Sequence, residues 1–220
     1  MKKLLIAMLL GLSIHALAQQ PNFRNDYYNK KRALQESIPK VNKAIVMLGN
    51  SLTEQGLWSE YFPGKDVLNR GIGGDIIAGI IDRLPDILKN KPSKIFITAG
   101  INDILFYDIT KEQFEQGYTK IFEIIKQRQP KCKIYLGSLL PVNETIKSDN
   151  KFLVDKNNKI NAFNDLIRAF AVEHHVRYID IHSHMLEGKA LIKGLSVDGI
   201  HLNEKGYLVW TSVLKPYIYE

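Results

Sequence analysis

Residues 44–51 read Ala44-Ile45-Val46-Met47-Leu48-Gly49-Asn50-Ser51. The unbroken apolar run, with β-branched Ile45 and Val46 in it, predicts a strand buried on both faces. Gly49 ends it at a residue that tolerates sharp backbone angles. Ser51 then stands just past the strand, before the polar Thr53-Glu54-Gln55. Ligands of open α/β sheets bind beyond the carboxyl ends of the strands, so a serine delivered there is a candidate nucleophile. A turn serine that only caps the next helix is the alternative.

Working outward, the same grammar repeats. Strands are expected at 66–69, 94–99, 133–137 and 176–181, each running into a loop of chemical interest. The second enters Arg70-Gly71-Ile72-Gly73-Gly74-Asp75, whose glycines expose backbone amides able to hold an oxyanion. It lacks the Gly-x-Gly-x-x-Gly and Lys-Ser/Thr patterns of nucleotide loops. The third enters Gly100-Ile101-Asn102-Asp103 and the fourth Leu139-Leu140-Pro141-Val142-Asn143. Between them, helices are expected around 26–37, over Leu57–Phe62, and from Ile76 towards Lys89 with a kink or new segment at Pro85. Another is opened by a Thr110/Gln113 capping box, and further ones carry Ile160, Phe163, Ile167 and Phe170, then Tyr207, Trp210, Leu214 and Tyr217. Residues 144–158 are long and polar, the pattern of a mobile flap. Strands alternating with helices predict a parallel sheet covered on both faces.

With 220 residues, 45% hydrophobic, the chain suits one α/β domain with a sizeable core. Lys2 and Lys3, the apolar stretch Leu4–Leu12 and Ala16-Leu17-Ala18 read as a secretory signal over residues 1–18. The apolar stretch is short of the roughly 20 residues that span a bilayer, so no stable membrane anchor is expected after cleavage. Residues 19–43 are expected to form a surface lead-in, and 44–220 the α/β domain. Loss of the leader lowers the formal charge of +7 by two, leaving a mildly basic, evenly spread balance. Lys30-Lys31-Arg32 is the dense run, read as a solvated helix face and not a nucleic-acid site. Cys132, the lone cysteine, lies in a strand pattern and reads as a buried apolar residue.

Asp198 and His201 stand three residues apart before the last helix, a spacing that lets the carboxylate reach the ring nitrogen facing away from a serine. A serine hydroxyl needs such a histidine to take its proton, and the acyl oxygen needs donors where charge develops. Asn102, after the third strand, can turn its amide into the crevice of Ser51. His174 and His175 read as the end of a helix. His182 and His184 lack the neighbours of a metal site. Phe106, Tyr107 and Asn143 follow strand ends and are candidates for the cleft wall, with core packing or turn roles as the alternative.

At Gly49-Asn50-Ser51-Leu52-Thr53-Glu54, Gly74-Asp75, Gly100-Ile101-Asn102-Asp103 and Asp198-Gly199-Ile200-His201 the chain resembles the SGNH (GDSL-like) hydrolase superfamily. Trp58, Phe62, the 68–75 loop and Leu139-Leu140-Pro141 are similar to its platelet-activating-factor-acetylhydrolase-like members and to exported bacterial esterases. Asn50 departs from the usual aspartate, which is not the triad acid. Thr53 replaces the second glycine of the α/β-hydrolase elbow Gly-x-Ser-x-Gly.

The resemblance implies a three-layer α/β/α sandwich with a five-stranded parallel sheet in flavodoxin-like order 2-1-3-4-5. It implies Ser51, His201 and Asp198 as a triad, with the amides of Ser51 and Gly74 and the side chain of Asn102 as the oxyanion hole. Water completes the reaction, so no cofactor or metal is required. The expected activity is hydrolysis of short acyl esters, acetyl first, on a small-molecule or glycan substrate in the periplasm or outside the cell. A lysophospholipase or thioesterase is the enzymatic alternative, and an inactive binding protein the other.

Overall fold

The computed structural model describes residues 22–220, so the expected signal at 1–18 lies outside the described residues. In chain order the elements are α1 (Asp26–Ser37), β1 (Ile45–Gly49), α2 (Ser51–Glu54), α3 (Trp58–Tyr61), β2 (Val67–Gly71), α4 (Ile77–Ile87) and β3 (Lys94–Thr98). They continue with α5 (Ile101–Phe106), α6 (Lys111–Arg128), β4 (Lys133–Gly137), α7 (Lys156–Glu173), β5 (Arg177–Ile179), the small hairpin β6 (Leu186–Glu187) and β7 (Ala190–Leu191), and α8 (Glu204–Tyr219).

The five long strands are parallel in the order β2-β1-β3-β4-β5. Every residue of β1 and β3 is buried, which is why both read as continuous apolar runs. Helices α4, α6 and α7 pack side by side on one face, with Phe114 of α6 edge-on to Phe163 of α7. On the other face α8 lies over the sheet, where Tyr217 meets Tyr135, and Trp210 packs edge-on against Trp58 of α3 at 5.1 Å. The buried Lys94 at the start of β3 anchors the end of α8 by donating to the carbonyls of Tyr217, Ile218 and Glu220.

The order doubles back at β1, which has β2 on one side and β3 on the other. Gly49 stands in register with Gly71 and with Thr98. The loops after all three strands therefore leave the sheet at one level, opening the crevice in which α/β folds bind ligands.

Several local expectations change in detail. The helix expected over Leu57–Phe62 forms as the short α3, and a separate short α2 precedes it, tied to it by Trp58 donating from Nε1 to the Thr53 carbonyl at 2.7 Å. Helix α4 continues through Pro85 and passes at Leu88 into a 3-10 turn, since proline removes only the one N–H near a helix end. Residues 144–158 do not form one long flap: a 3-10 turn spans Asn150–Leu153, with Asn150 and Leu153 buried, and α7 begins at Lys156. The run Lys30-Lys31-Arg32 is not simply a solvated face. Arg32 pairs with Glu36, Asp82 and Asp86, and Lys31 with Glu54, fastening α1 to α4 and α2. Cys132 is buried, and burial pushes its thiol up to about 12. His174 caps the end of α7, followed by His175 at φ 52°.

Candidate active site

Gly49 is where the strand must turn. A Cβ there would stand 2.2 Å from Thr53 Oγ1 and 2.5 Å from the Thr98 carbonyl, so only glycine lets α2 close onto the sheet end. Asn50 caps α2, its Oδ1 accepting from the Leu52 amide at 3.1 Å. A carboxamide oxygen does here what a carboxylate oxygen would, so asparagine at this position keeps the cap. Ser51 is then the first residue of α2, half-buried at the crevice floor.

The partner group arrives from a compact loop at the other end of the chain. His201 Nε2 lies 2.9 Å from Ser51 Oγ, and His201 Nδ1 lies 2.7 Å from Asp198 Oδ2. The other carboxylate oxygen of Asp198 accepts from the amides of Ile200 (2.9 Å) and His201 (2.7 Å), locking the three-residue spacing into a turn. Burial disfavours the charge on Asp198. The hydrogen bonds from the His201 ring and the two amides outweigh it and hold the carboxyl below the usual carboxylate range. With an ionised acceptor on Nδ1, the ring carries its proton there and leaves Nε2 to accept from the serine.

Three residues brace that loop, and two of them, Ser196 and Asn150, have no place in the sequence-based site. Ser196 Oγ donates to the His201 carbonyl at 2.7 Å and accepts from the Gly199 amide at 2.8 Å. Asn150 Nδ2 donates to the Asp198 carbonyl at 2.6 Å, and the Asn143 amide donates to the Gly199 carbonyl at 2.8 Å. Asn143 is thus buried scaffolding and not cleft wall. Ser196 alone had a local cue, as a serine two residues before an aspartate in a turn. Phe106 and Tyr107 are exposed at the end of α5, Phe106 stacking on Phe152 at 5.8 Å.

The loops after β2 and β3 supply donors. Gly74 has φ 73°, open space where a Cβ would stand, and an exposed position in the loop. Among the described residues, neither the Ser51 nor the Gly74 amide has an acceptor. Asn102 is buried and donates from Nδ2 to the Asp75 carbonyl at 2.8 Å, which leaves one amide hydrogen uncommitted and ties α5 to the glycine loop.

Two further acids, Glu54 and Asp75, stand in the quoted motifs without an assigned role, and both hold this loop. Glu54 Oε2 accepts from the Gly73 amide at 2.6 Å, while Oε1 accepts from Tyr27 of α1 at 2.7 Å. Asp75 pairs with Arg83 at 2.9 Å with both side chains almost wholly buried. Arg83 also donates to the carbonyls of Arg70 and Gly49. Burial raises Asp75 to about 6 against the opposing pull of Arg83. Among the described residues no group of three or more His, Cys, Asp or Glu side chains gathers as a metal site.

The constellation is a hydroxyl, an imidazole and a carboxylate in hydrogen-bonded series, beside free amides at the switch point of a parallel sheet. A family model, the GDSL-like Lipase/Acylhydrolase family, matches residues 47–209. Platelet-activating factor acetylhydrolase IB subunit alpha1 from Bos taurus is 26% identical over 171 residues, covering 74% of this chain and 69% of the bovine one. A solved structure from Streptococcus pneumonia, provisionally named a platelet activating factor, is 28% identical with a TM-score of 0.78, covering 88% of this chain and 91% of that one. An acetyl xylan esterase from Geobacillus stearothermophilus shares the fold at 17% identity and a TM-score of 0.63, covering 81% of this chain and 95% of the esterase. The chain belongs to the GDSL-like lipase/acylhydrolase family and is an ester hydrolase.

Proposed function

We propose that the protein is an exported serine esterase that removes short acyl groups, acetyl first, from carbohydrate esters. The observation that carries the serine mechanism is the relay from Asp198 through His201 to Ser51, at 2.7 and 2.9 Å. His201 Nε2 takes the Ser51 proton as Oγ attacks the acyl carbon. The amides of Ser51 and Gly74 and the free N–H of Asn102 receive the oxyanion. The tetrahedral adduct collapses, the C–O bond to the alcohol breaks, and the alcohol leaves with the proton held by His201. Water then attacks the acyl-Ser51 ester, giving its proton to His201. Its collapse releases the carboxylic acid and returns that proton to Ser51. Asp198 orients the ring and balances its transient charge throughout.

A similar protein named as an acetylhydrolase supports the short acyl group. The export rests on the leader-like residues 1–18, and the carbohydrate acceptor on the fold shared with a protein named as an acetyl xylan esterase. A small acyl group needs only a small pocket, whereas a long chain needs an extended apolar groove.

The test is hydrolysis of a chromogenic acetate ester by the wild-type protein and Ser51→Ala. Wild-type turnover reduced at least about 10⁴-fold in Ser51→Ala, with unchanged melting temperature, supports the mechanism. Equal activity in both refutes it, and activity in neither points to a binding protein. A panel of acetylated sugars beside acyl esters of rising chain length reads the substrate. Rates that climb with chain length favour the lysophospholipase or thioesterase reading instead.

A further inference from the structure

Behind β2, away from the crevice, α1 and the end of α4 enclose a cavity of about 370 Å³ whose walls include Arg32, Lys40, Arg70, Arg83 and Asp86. None of Ser51, Asp198 and His201 reaches it. Arg70 is only 3% exposed, yet its guanidinium has a single described hydrogen bond, Nη1 donating to the Asn69 carbonyl at 2.8 Å. Among the described residues no carboxylate pairs with it, nor with Lys40.

The other charges in these walls are already matched. Arg83 is neutralised by Asp75. Glu36 and Asp86 face the same space, but Arg32 holds both, and Lys89 also holds Asp86. The surplus therefore falls on Arg70 and Lys40. A buried cation without a partner is costly, and fold stability favours whatever anion answers it. Burial and the nearby Arg83 both lower the pKa of Arg70, the expected sign for a cation short of counter-charge. A planar guanidinium with free N–H groups, with a lysine in the wall of the same cavity, suits a doubly charged tetrahedral oxyanion better than a single carboxylate.

We propose that this cavity binds a phosphate group, gripped by Arg70 and balanced by Lys40, at a site separate from the ester-hydrolysing crevice. The phosphate has two sources, the free ion or a phosphate ester, and the cavity is large enough for either.

The experiment is calorimetric titration of the full chain with inorganic phosphate and, separately, with glycerol 3-phosphate, at ionic strength held constant with sodium chloride. Saturable one-to-one binding by wild type, weakened at least tenfold in Arg70→Gln and several-fold in Lys40→Gln, supports the site. Phosphate at ten times its dissociation constant should then raise the wild-type melting temperature by about 3–6 °C, and less in Arg70→Gln. Binding of both ligands assigns the site to phosphate esters as well, and binding of inorganic phosphate alone restricts it to the free ion. No saturable binding by wild type, or equal binding by wild type and Arg70→Gln, overturns the proposal. If Arg70→Gln fails to fold, the exposed Lys40→Gln decides, and unchanged affinity there overturns it.

Discussion

Asp198 accepts the His201 ring on one oxygen and two backbone amides on the other, so its charge both orients the imidazole and holds its own turn together. Asp198→Asn keeps the size but loses the anion that selects the tautomer. Activity should fall about 10³- to 10⁴-fold in kcat with a correctly folded protein, as steady-state kinetics beside circular dichroism would reveal. Asn102 works from the other side of the crevice. Asn102→Ala removes one donor to the oxyanion and should lower kcat by about 10²- to 10³-fold while KM for a small acetate ester changes little. A loss confined to KM would remove Asn102 from the oxyanion hole. The residue types at these two positions were legible because each follows a strand or precedes a helix in a short, spaced motif. The tasks of Ser196, Asn143 and Asn150 were not, because a single hydroxyl or carboxamide acquires a role only from the backbone folded against it.

At the scale of elements, the loop between β7 and α8 and the loop after β2 are the parts the chemistry leans on. Gly199 has φ 96°, and a Cβ there would meet the Asn143 carbonyl at 2.3 Å. Gly199→Ala should cost about 1–3 kcal/mol and displace Asp198 and His201, so the melting temperature and the esterase rate fall together. Glu54 joins α2 to the glycine loop through Gly73, next to the Gly74 amide. It is a positioning residue. Glu54→Ala should reduce kcat about tenfold with little change in KM, and Glu54→Gln should recover part of it because an amide oxygen can still accept from Gly73. Equal kcat in Glu54→Ala and wild type would mean that the loop holds its shape without this contact. Most element boundaries followed from apolar periodicity and caps. The Thr110/Gln113 box forms as expected, and α1 spans the predicted residues. The segment 144–158 misled because its polar side chains, notably Asn150, turn inward onto backbone carbonyls that no local pattern announces.

Across the whole molecule, burial of acids beneath the crevice sets a pH response. Asp103 is buried and accepts the Ile77 amide on both oxygens at 3.2 Å. Burial, with the charge of Asp75 adding to it, raises Asp103 to about 7 from an ordinary 3.8, against the opposing amide hydrogen bonds. The folded protein therefore binds more protons than the unfolded chain between those values, and this carboxyl lowers stability as pH rises through that window. Melting temperature should be higher at pH 5.5 than at pH 8, and Asp103→Asn should flatten part of that difference. An identical pH profile in the variant would contradict the assignment. Arg83→Met would strand Asp75 as an unpaired buried acid and remove a donor from each of the Gly49 and Arg70 carbonyls, at a cost of about 3–5 kcal/mol readable by urea denaturation. The sequence alone determined the parallel α/β plan, the strand-end motifs and the family resemblance, because apolar runs, turn glycines and short spacings are properties of neighbours along the chain. Only the tertiary structure decided that Ser51 and His201 meet across 150 residues, that Arg83 answers Asp75, and that Arg70 has no acid opposite it among the described residues. Those pairings depend on which side chains packing brings within a few ångströms, and Coulomb and hydrogen-bond energies fall off over that same distance.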